Sequence, residues 1–291
     1  MKKFKSQNPQ YEFIRKRWTA KNRHYTQKFI DKHLRHIALG SLGGAMLLTT
    51  PGLSSAEASL DQLQPPQSIT AATNKNLLLA AELTDKIPPD GSNLTREQEQ
   101  QVTQLINKDL GVKTAAEIDG VRLNRTYGSI GGEQHLYRYP GDNLLNHART
   151  TQDWAMYGGA GIAPGLGAWG YFAPSKTQMT PLDEERERYY IAVQTFLAPG
   201  FSENVAKYRD FFKYRKMLVV NPKTGQAVVA DIADAGPGES TGKHLGGSPE
   251  VMQELGLAQG PRRGDVLYFF IDDPDNKVPL GPVKVPVQNQ S

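Results

Sequence analysis

Asp234 lies between an apolar run and Ala-Gly-Pro, in VVADIADAGPG. A carboxyl whose pKa is raised by a desolvated setting can donate a proton near neutral pH, and an aspartate after a strand is a candidate for that role. The competing reading is an aspartate that accepts the backbone N–H groups of its own turn. The loop after it carries Glu239 and His244, with Lys243 beside the histidine. A histidine next to a carboxylate can move protons at physiological pH. Asp234, Glu239 and His244 are the catalytic candidates. Asp231 alternates with Val229 and is expected to face solvent or a loop.

A second group sits in GGEQHLYRYPGD: Glu133, His135 and Asp142, with His147 shortly after. Two histidines and acids within a short span can hold a metal. No H-E-x-x-H is present and the glycines oppose an aligning helix, so loop surface or local hydrogen bonding is the simpler reading. No metal and no other cofactor is assigned. Glu133, His135 and Asp142 are taken instead as substrate-binding candidates. Trp169 and Tyr171 join them, because their rings can stack on sugar faces, although aromatics such as these and Trp154, Tyr157 and Phe172 are more often core. The run Asp183 to Arg188 reads as a solvated turn or helix start with alternating charges. One of its acids could be the second carboxyl of a sugar-cleaving pair. Two motifs lack their context. GPGESTGK has Pro237 where a phosphate loop needs its first glycine. Gly238 to Gly242 matches G-x-S-x-G, but no long helix starts there.

The elements that must position these residues are legible in part. Thr95 and Gln98 form a capping box for a helix whose apolar face is Val102, Leu105, Ile106 and Leu110, and Gly111 stops it. Residues 120–175 are aromatic and glycine-rich, which predicts packed loops and short strands. Tyr189 to Phe196 reads as an apolar strand after a charged turn. Met217 to Val220 and Ala227 to Ile232 read as strands joined by a turn at Asn221-Pro222-Lys223-Thr224-Gly225. Ser248 caps a short helix with Pro249 at its first position, and Gly256 ends it. Gly264 to Ile271 is a last strand.

The 291 residues contain no cysteine, which excludes disulfides, thiolate metal sites and cysteine nucleophiles. The net charge of +4 conceals an asymmetry: residues 1–36 hold eleven Lys/Arg against two acids, so the remainder carries −5. The main part of the chain therefore has no electrostatic footprint for nucleic acid. After the basic stretch come twelve mostly apolar or small residues, 37–48, which fit the h-region of a signal peptide, and Ala56-Glu57-Ala58 offers a small-residue cleavage site. The expectation is an exported protein of the cell envelope or extracellular space, touching the membrane only through this signal or anchor.

The segment VVNPKTGQAVVADIADAGPGESTGKHLGGSPEVMQELGL resembles the double-psi β-barrel of rare lipoprotein A-like murein lytic transglycosylases and expansins. It is also similar to the C-terminus of uncharacterised exported bacterial barrel proteins. Trp169-Gly170-Tyr171 is the candidate for the opening aromatic-Gly strand of such a barrel. The resemblance implies a groove for a glycan, with Asp234 matching the D-x-G aspartate that protonates the glycosidic oxygen. Where the family usually has the Asp of D-L-S, this chain reads His244-Leu245-Gly246.

The expected fold is α+β, mainly β: a C-terminal six-stranded double-psi β-barrel preceded by a short helical and Gly-rich loop region. The expected divisions are an export signal (1–58), a flexible linker (59–92), a helical and loop region (93–150), the barrel (151–282) and a disordered tail (283–291). The expected function is action on peptidoglycan or another wall polysaccharide by glycan-strand cleavage, of the lytic transglycosylase or hydrolase type. The alternatives are a non-catalytic, expansin-like wall-binding module and a metal-dependent amidase or peptidase built on His135, His147 and Asp142.

Overall fold

The structure is a computed structural model that describes residues 67–283, with side-chain environments from residue 75 onward. The expected export segment 1–58, the first residues of the expected linker and the tail from 284 lie outside the described residues.

The chain opens with α1 (Gln67–Thr84) and α2 (Arg96–Leu110). Helix α1 occupies much of the span expected to be a linker. Its Leu79 and Leu83 are buried, and this apolar spacing is what orders it. Helix α2 has the expected capping box between Thr95 and Gln98, and Gly111 ends it in the left-handed conformation at φ 69°. Four strands follow: β1 (Thr114–Ala115), β2 (Glu117–Ile118), β3 (Val121–Arg122) and β4 (Tyr127–Gly132). A long glycine-rich loop region, with α3 (Thr151–Met156) inside it, leads to α4 (Pro181–Arg188) and β5 (Tyr190–Val193). The remainder is α5 (Val205–Phe212), β6 (Lys216–Val220), β7 (Ala227–Ala235), β8 (Leu245–Gly247), α6 (Pro249–Glu254), β9 (Arg263–Ile271) and β10 (Gly281–Pro282).

Six strands close into a mixed barrel in the cyclic order β9-β4-β8-β5-β7-β6, with β6 pairing back to β9. β4 with β8 and β5 with β7 are parallel, and the other neighbours are antiparallel. Exchanging β4, β5 and β6 for β7, β8 and β9 returns the same ring read in reverse. The two halves are thus related by an internal twofold repeat of topology.

The barrel strands read as continuous apolar runs because both of their faces are covered. Met217, Val219, Val228, Ala230, Val266, Tyr268 and Phe270 point into the barrel. Leu218, Val220, Val229, Leu267, Phe269 and Ile271 point outward and are covered by Leu79 and Leu83 of α1 and by Val102, Leu105 and Ile106 of α2. A buried ion pair joins α2 to the barrel entry: Arg122 Nη2 lies 2.8 Å from Glu99 Oε1, which also accepts the Thr126 hydroxyl. In the expected turn between β6 and β7, Gly225 is at φ 71°, and a Cβ there would stand 1.9 Å from the Asn76 carbonyl oxygen of α1. Glycine is required at this approach.

Several elements differ from expectation. The first barrel strand, β4, lies within 93–150, so the barrel does not begin at 151. The first barrel strand, β4, starts at Tyr127-Gly128, whereas Trp169-Gly170-Tyr171, expected as a strand, lies in a loop. The charged run before β5 is a helix, because Thr180 and Asp183 form a capping box and Pro181 starts the first turn. The strand expected to reach Phe196 stops at Val193 and continues as a 3₁₀ turn, Thr195–Leu197. Residue Val283, the first of the expected tail, is still held by a hydrogen bond to Ala227 O.

Candidate functional site

Asp234 sits at the outgoing end of β7, just past a break in register. Ile191 pairs with Ile232, but Ala192 pairs with Asp234, leaving Ala233 as the extra residue. Such a bulge re-aims the side chains that follow it. Asp234 Oδ1 accepts two backbone N–H groups, from Ala168 at 2.9 Å and from Ala235 at 2.8 Å. Oδ2 makes no hydrogen bond among the described residues. Burial pushes the carboxyl above its ordinary pKa, against the opposing pull of the Ala235 and Ala168 N–H groups.

The loop that reaches Asp234 is fastened beside it. Trp169 Nε1 donates to Ile232 O at 2.9 Å, and its half-buried ring packs on the barrel core. Gly167 lies so close to β7 that a Cβ would stand 2.8 Å from Ala233 O. A cleft of about 520 Å³ opens here, lined by Ala168, Trp169, Gly170, Arg209, Asp210 and Lys213 among others. The Arg209 guanidinium lies 5.9 Å from the Trp169 ring centroid. Tyr171, two residues on, is exposed.

The remaining candidates of the later loop are placed differently. Glu239 is exposed in a 3₁₀ turn, Glu239–Thr241. His244 packs on β4, where its Nδ1 accepts the Ser129 N–H at 3.0 Å and its Nε2 faces Arg125. Burial and the charges of Arg125 and Arg263 lower its pKa. Glu133 stands over Gly246, where a Cβ would meet its carboxylate at 2.4 Å, and pairs with Lys243 Nζ at 2.5 Å. Gly246 pairs with Ala192, which pairs with Asp234, so the Glu133 side chain lies over a position in the same row as Asp234, although Glu133 itself stands past the end of β4. Both lie near the buried phenol of Tyr190. Its pKa is raised first by burial and then by the charges of Glu187, Glu133, Asp234 and Glu250.

His135 and Asp142 belong to a separate, closed ionic cluster, and the expectation of a loop surface is corrected there. The loop after β4 folds inward because its polar groups find charged partners under α4. Glu187 of α4 is wholly buried between two imidazoles: Oε1 is 3.3 Å from His135 Nδ1, and Oε2 is 3.0 Å from His147 Nδ1. Arg138 binds the same Oε2 through Nε at 2.8 Å and Nη2 at 2.7 Å. Burial would raise the Glu187 pKa, but His135, His147 and Arg138 together hold it well below the usual range. Asp142 accepts the Arg138 and Asn143 N–H groups, the Asn146 amide and His147 Nε2, and against burial these bring its pKa to about 2. The two carboxylates raise His147 to about 9 although burial opposes it. Glu250, in the first turn of α6, is pushed to about 7 by burial and then by the charge of Glu187.

Asp231 is also buried, at 2% exposure, rather than facing solvent. Its Oδ2 meets Arg186 Nε at 3.2 Å, and burial lifts its pKa to about 6 against the pull of Arg186 and Lys216. The structure therefore brings Asp234 against the loop that carries Trp169, and groups His135 and Asp142 with His147 elsewhere. Arg138 and Glu250 were not read as site residues from the sequence, and Glu187 only as one of the four acids of the 183–188 run. The signal for Glu187 was its phase in a capped helix, which places it inward between outward-facing Glu185 and Arg188.

No protein-family model, no curated protein and no solved structure matches this chain.

Proposed function

We propose that this is an exported protein that acts on peptidoglycan, cleaving glycan strands with Asp234 as the proton donor. The observation that carries the reading is the asymmetric environment of Asp234. One carboxylate oxygen is pinned by two N–H groups, the other is free, and burial favours the protonated acid. That is the state a general acid needs to protonate a glycosidic oxygen. Trp169 and the neighbouring cleft supply an aromatic edge and a polar wall at which a sugar can dock. A double-psi identity for the barrel is supported by the twofold repeat in its strand order and by its two parallel pairs. In a lytic transglycosylase the sugar's own 6-hydroxyl attacks the anomeric carbon as the protonated oxygen leaves, and the carboxylate left on Asp234 takes the 6-hydroxyl proton, so one group serves as acid and then as base.

A specific observation favours a second reading, a non-catalytic wall-binding module. The position that carries the second aspartate in the resembled enzymes is His244, and its Nδ1 is committed to Ser129 N–H. The metal-dependent amidase alternative lacks comparable support, since His135, His147 and Asp142 are all buried. Incubating the full chain with purified sacculi separates the first two readings. Soluble sugar fragments detected by mass spectrometry support cleavage, whereas sedimentation with intact sacculi and no release supports binding alone.

A further inference from the structure

The buried cluster under α4 brings several metal-ligating side chains together, and two of its buried polar atoms have no hydrogen-bond partner. His135, His147 and Glu187 each offer one ligand atom, and these lie within 4.8 Å of one another. Asp142 fixes how His147 is presented: it is held by three N–H donors and takes the ring at Nε2, 2.8 Å away, which turns Nδ1 inward. A carboxylate on the far nitrogen is the usual partner of a metal-binding imidazole. Glu250, 2% exposed, directs an oxygen with no hydrogen-bond partner toward the same point, 4.0 Å from His135 Nδ1. His135 Nε2 is likewise buried and unpartnered. Isolated buried polar atoms of this kind call for a missing partner.

We propose that His135, His147 and Glu187, with Glu250 as the fourth donor, form a structural site for one divalent metal ion of the zinc class. Two imidazoles and two carboxylates suit zinc, and four protein ligands with no exposure make a closed site with no open position for chemistry. Arg138 caps Glu187 Oε2 from the other side, which leaves Oε1 facing His135. A ligating His147 is neutral, so the ion takes the place of its second proton; with the guanidinium offsetting one of the three carboxylates Asp142, Glu187 and Glu250, two negative charges then remain, matching one divalent cation. Zinc–ligand bonds of about 2.0–2.2 Å put tetrahedral donors about 3.4 Å apart, so the more widely separated of these donors must draw together around the ion. The ion joins three parts of the fold: the loop after β4, the C-terminal turn of α4 and the first turn of α6.

The test uses the full-length protein, purified without chelator and assayed for metal by mass spectrometry. The result expected is close to one zinc per chain. A strong chelator then removes the zinc and lowers the melting temperature by about 5 °C or more, and zinc chloride restores it. Asp142→Asn, which keeps the shape but not the charge behind His147, weakens zinc binding by about 10–100-fold. A zinc-free protein whose melting temperature responds neither to chelator nor to zinc chloride overturns the site. So does full zinc occupancy in a natively folded His147→Asn, Glu187→Gln double variant. If those variants fail to fold, the wild-type chelation experiment decides the question alone.

Discussion

Asp234 Oδ1 accepts the backbone N–H of Ala168, 66 positions earlier in the chain, at 2.9 Å. This bond links the end of a barrel strand to the loop that carries Trp169. It also orients the carboxyl, because the oxygen that binds Ala168 and Ala235 cannot turn toward a ligand while the other can. The same burial raises its pKa, which favours the protonated form of a carboxyl with one unbonded oxygen.

The first consequence concerns pH. The glycan-releasing activity proposed for Asp234 needs its protonated form, so the rate falls as pH rises through the raised pKa. Release of soluble sugars measured across pH should show a descending alkaline limb whose midpoint lies above the ordinary aspartate value of 3.8. A rate that rises through that range would assign the acid elsewhere.

Asp231 gives a stability prediction of defined sign. Its folded pKa of about 6 lies above the ordinary 3.8, so folding favours the protonated form. The group therefore costs nothing below pH near 4, and the cost grows as pH rises through about 6. Asp231→Asn should stabilise the protein by about 1–3 kcal/mol at pH 8, with the gain vanishing at acid pH. Urea unfolding at the two pH values measures it.

Arg138 and Glu187 are both within 1% of full burial. Arg138→Leu removes the guanidinium that holds Glu187 Oε2 and leaves the buried carboxylate short of one cation, which costs about 3–5 kcal/mol. Unfolding in urea should show this loss, and a cost below about 1 kcal/mol would mean that the pair is incidental.

Gly225→Ala should loosen α1 from the barrel, since the new methyl meets the Asn76 carbonyl at a backbone that already has positive φ. A cost of about 1–3 kcal/mol is expected, with faster proteolysis in α1 as the second readout. Gly246→Ala meets only the movable Glu133 side chain and should cost less.

The legible parts of the fold were those with strong local signals. The capping box at Thr95, the Asn221–Gly225 turn and the Ser248 cap each name their element, and the structure has them. Strand β4 escaped because YGSIGG has three glycines and no alternating pattern, and it is held by its neighbours β8 and β9. Strand β8, with only three residues, depends on the same kind of support. At the candidate site, Asp234 and Trp169 could be named from their types, but not their proximity, which depends on Gly167 lying against Ala233. The ionic cluster was less legible still. Its residues come from three separate segments, 135–147, Glu187 and Glu250, and charged runs such as 183–188 ordinarily face water.

The most direct measurement compares wild-type protein with Asp234→Asn on purified sacculi, using mass spectrometry of the released sugars. The account predicts anhydro-ended fragments from the wild type and their loss in a variant that still binds sacculi. Undiminished release by Asp234→Asn, or no release by either protein, would contradict it.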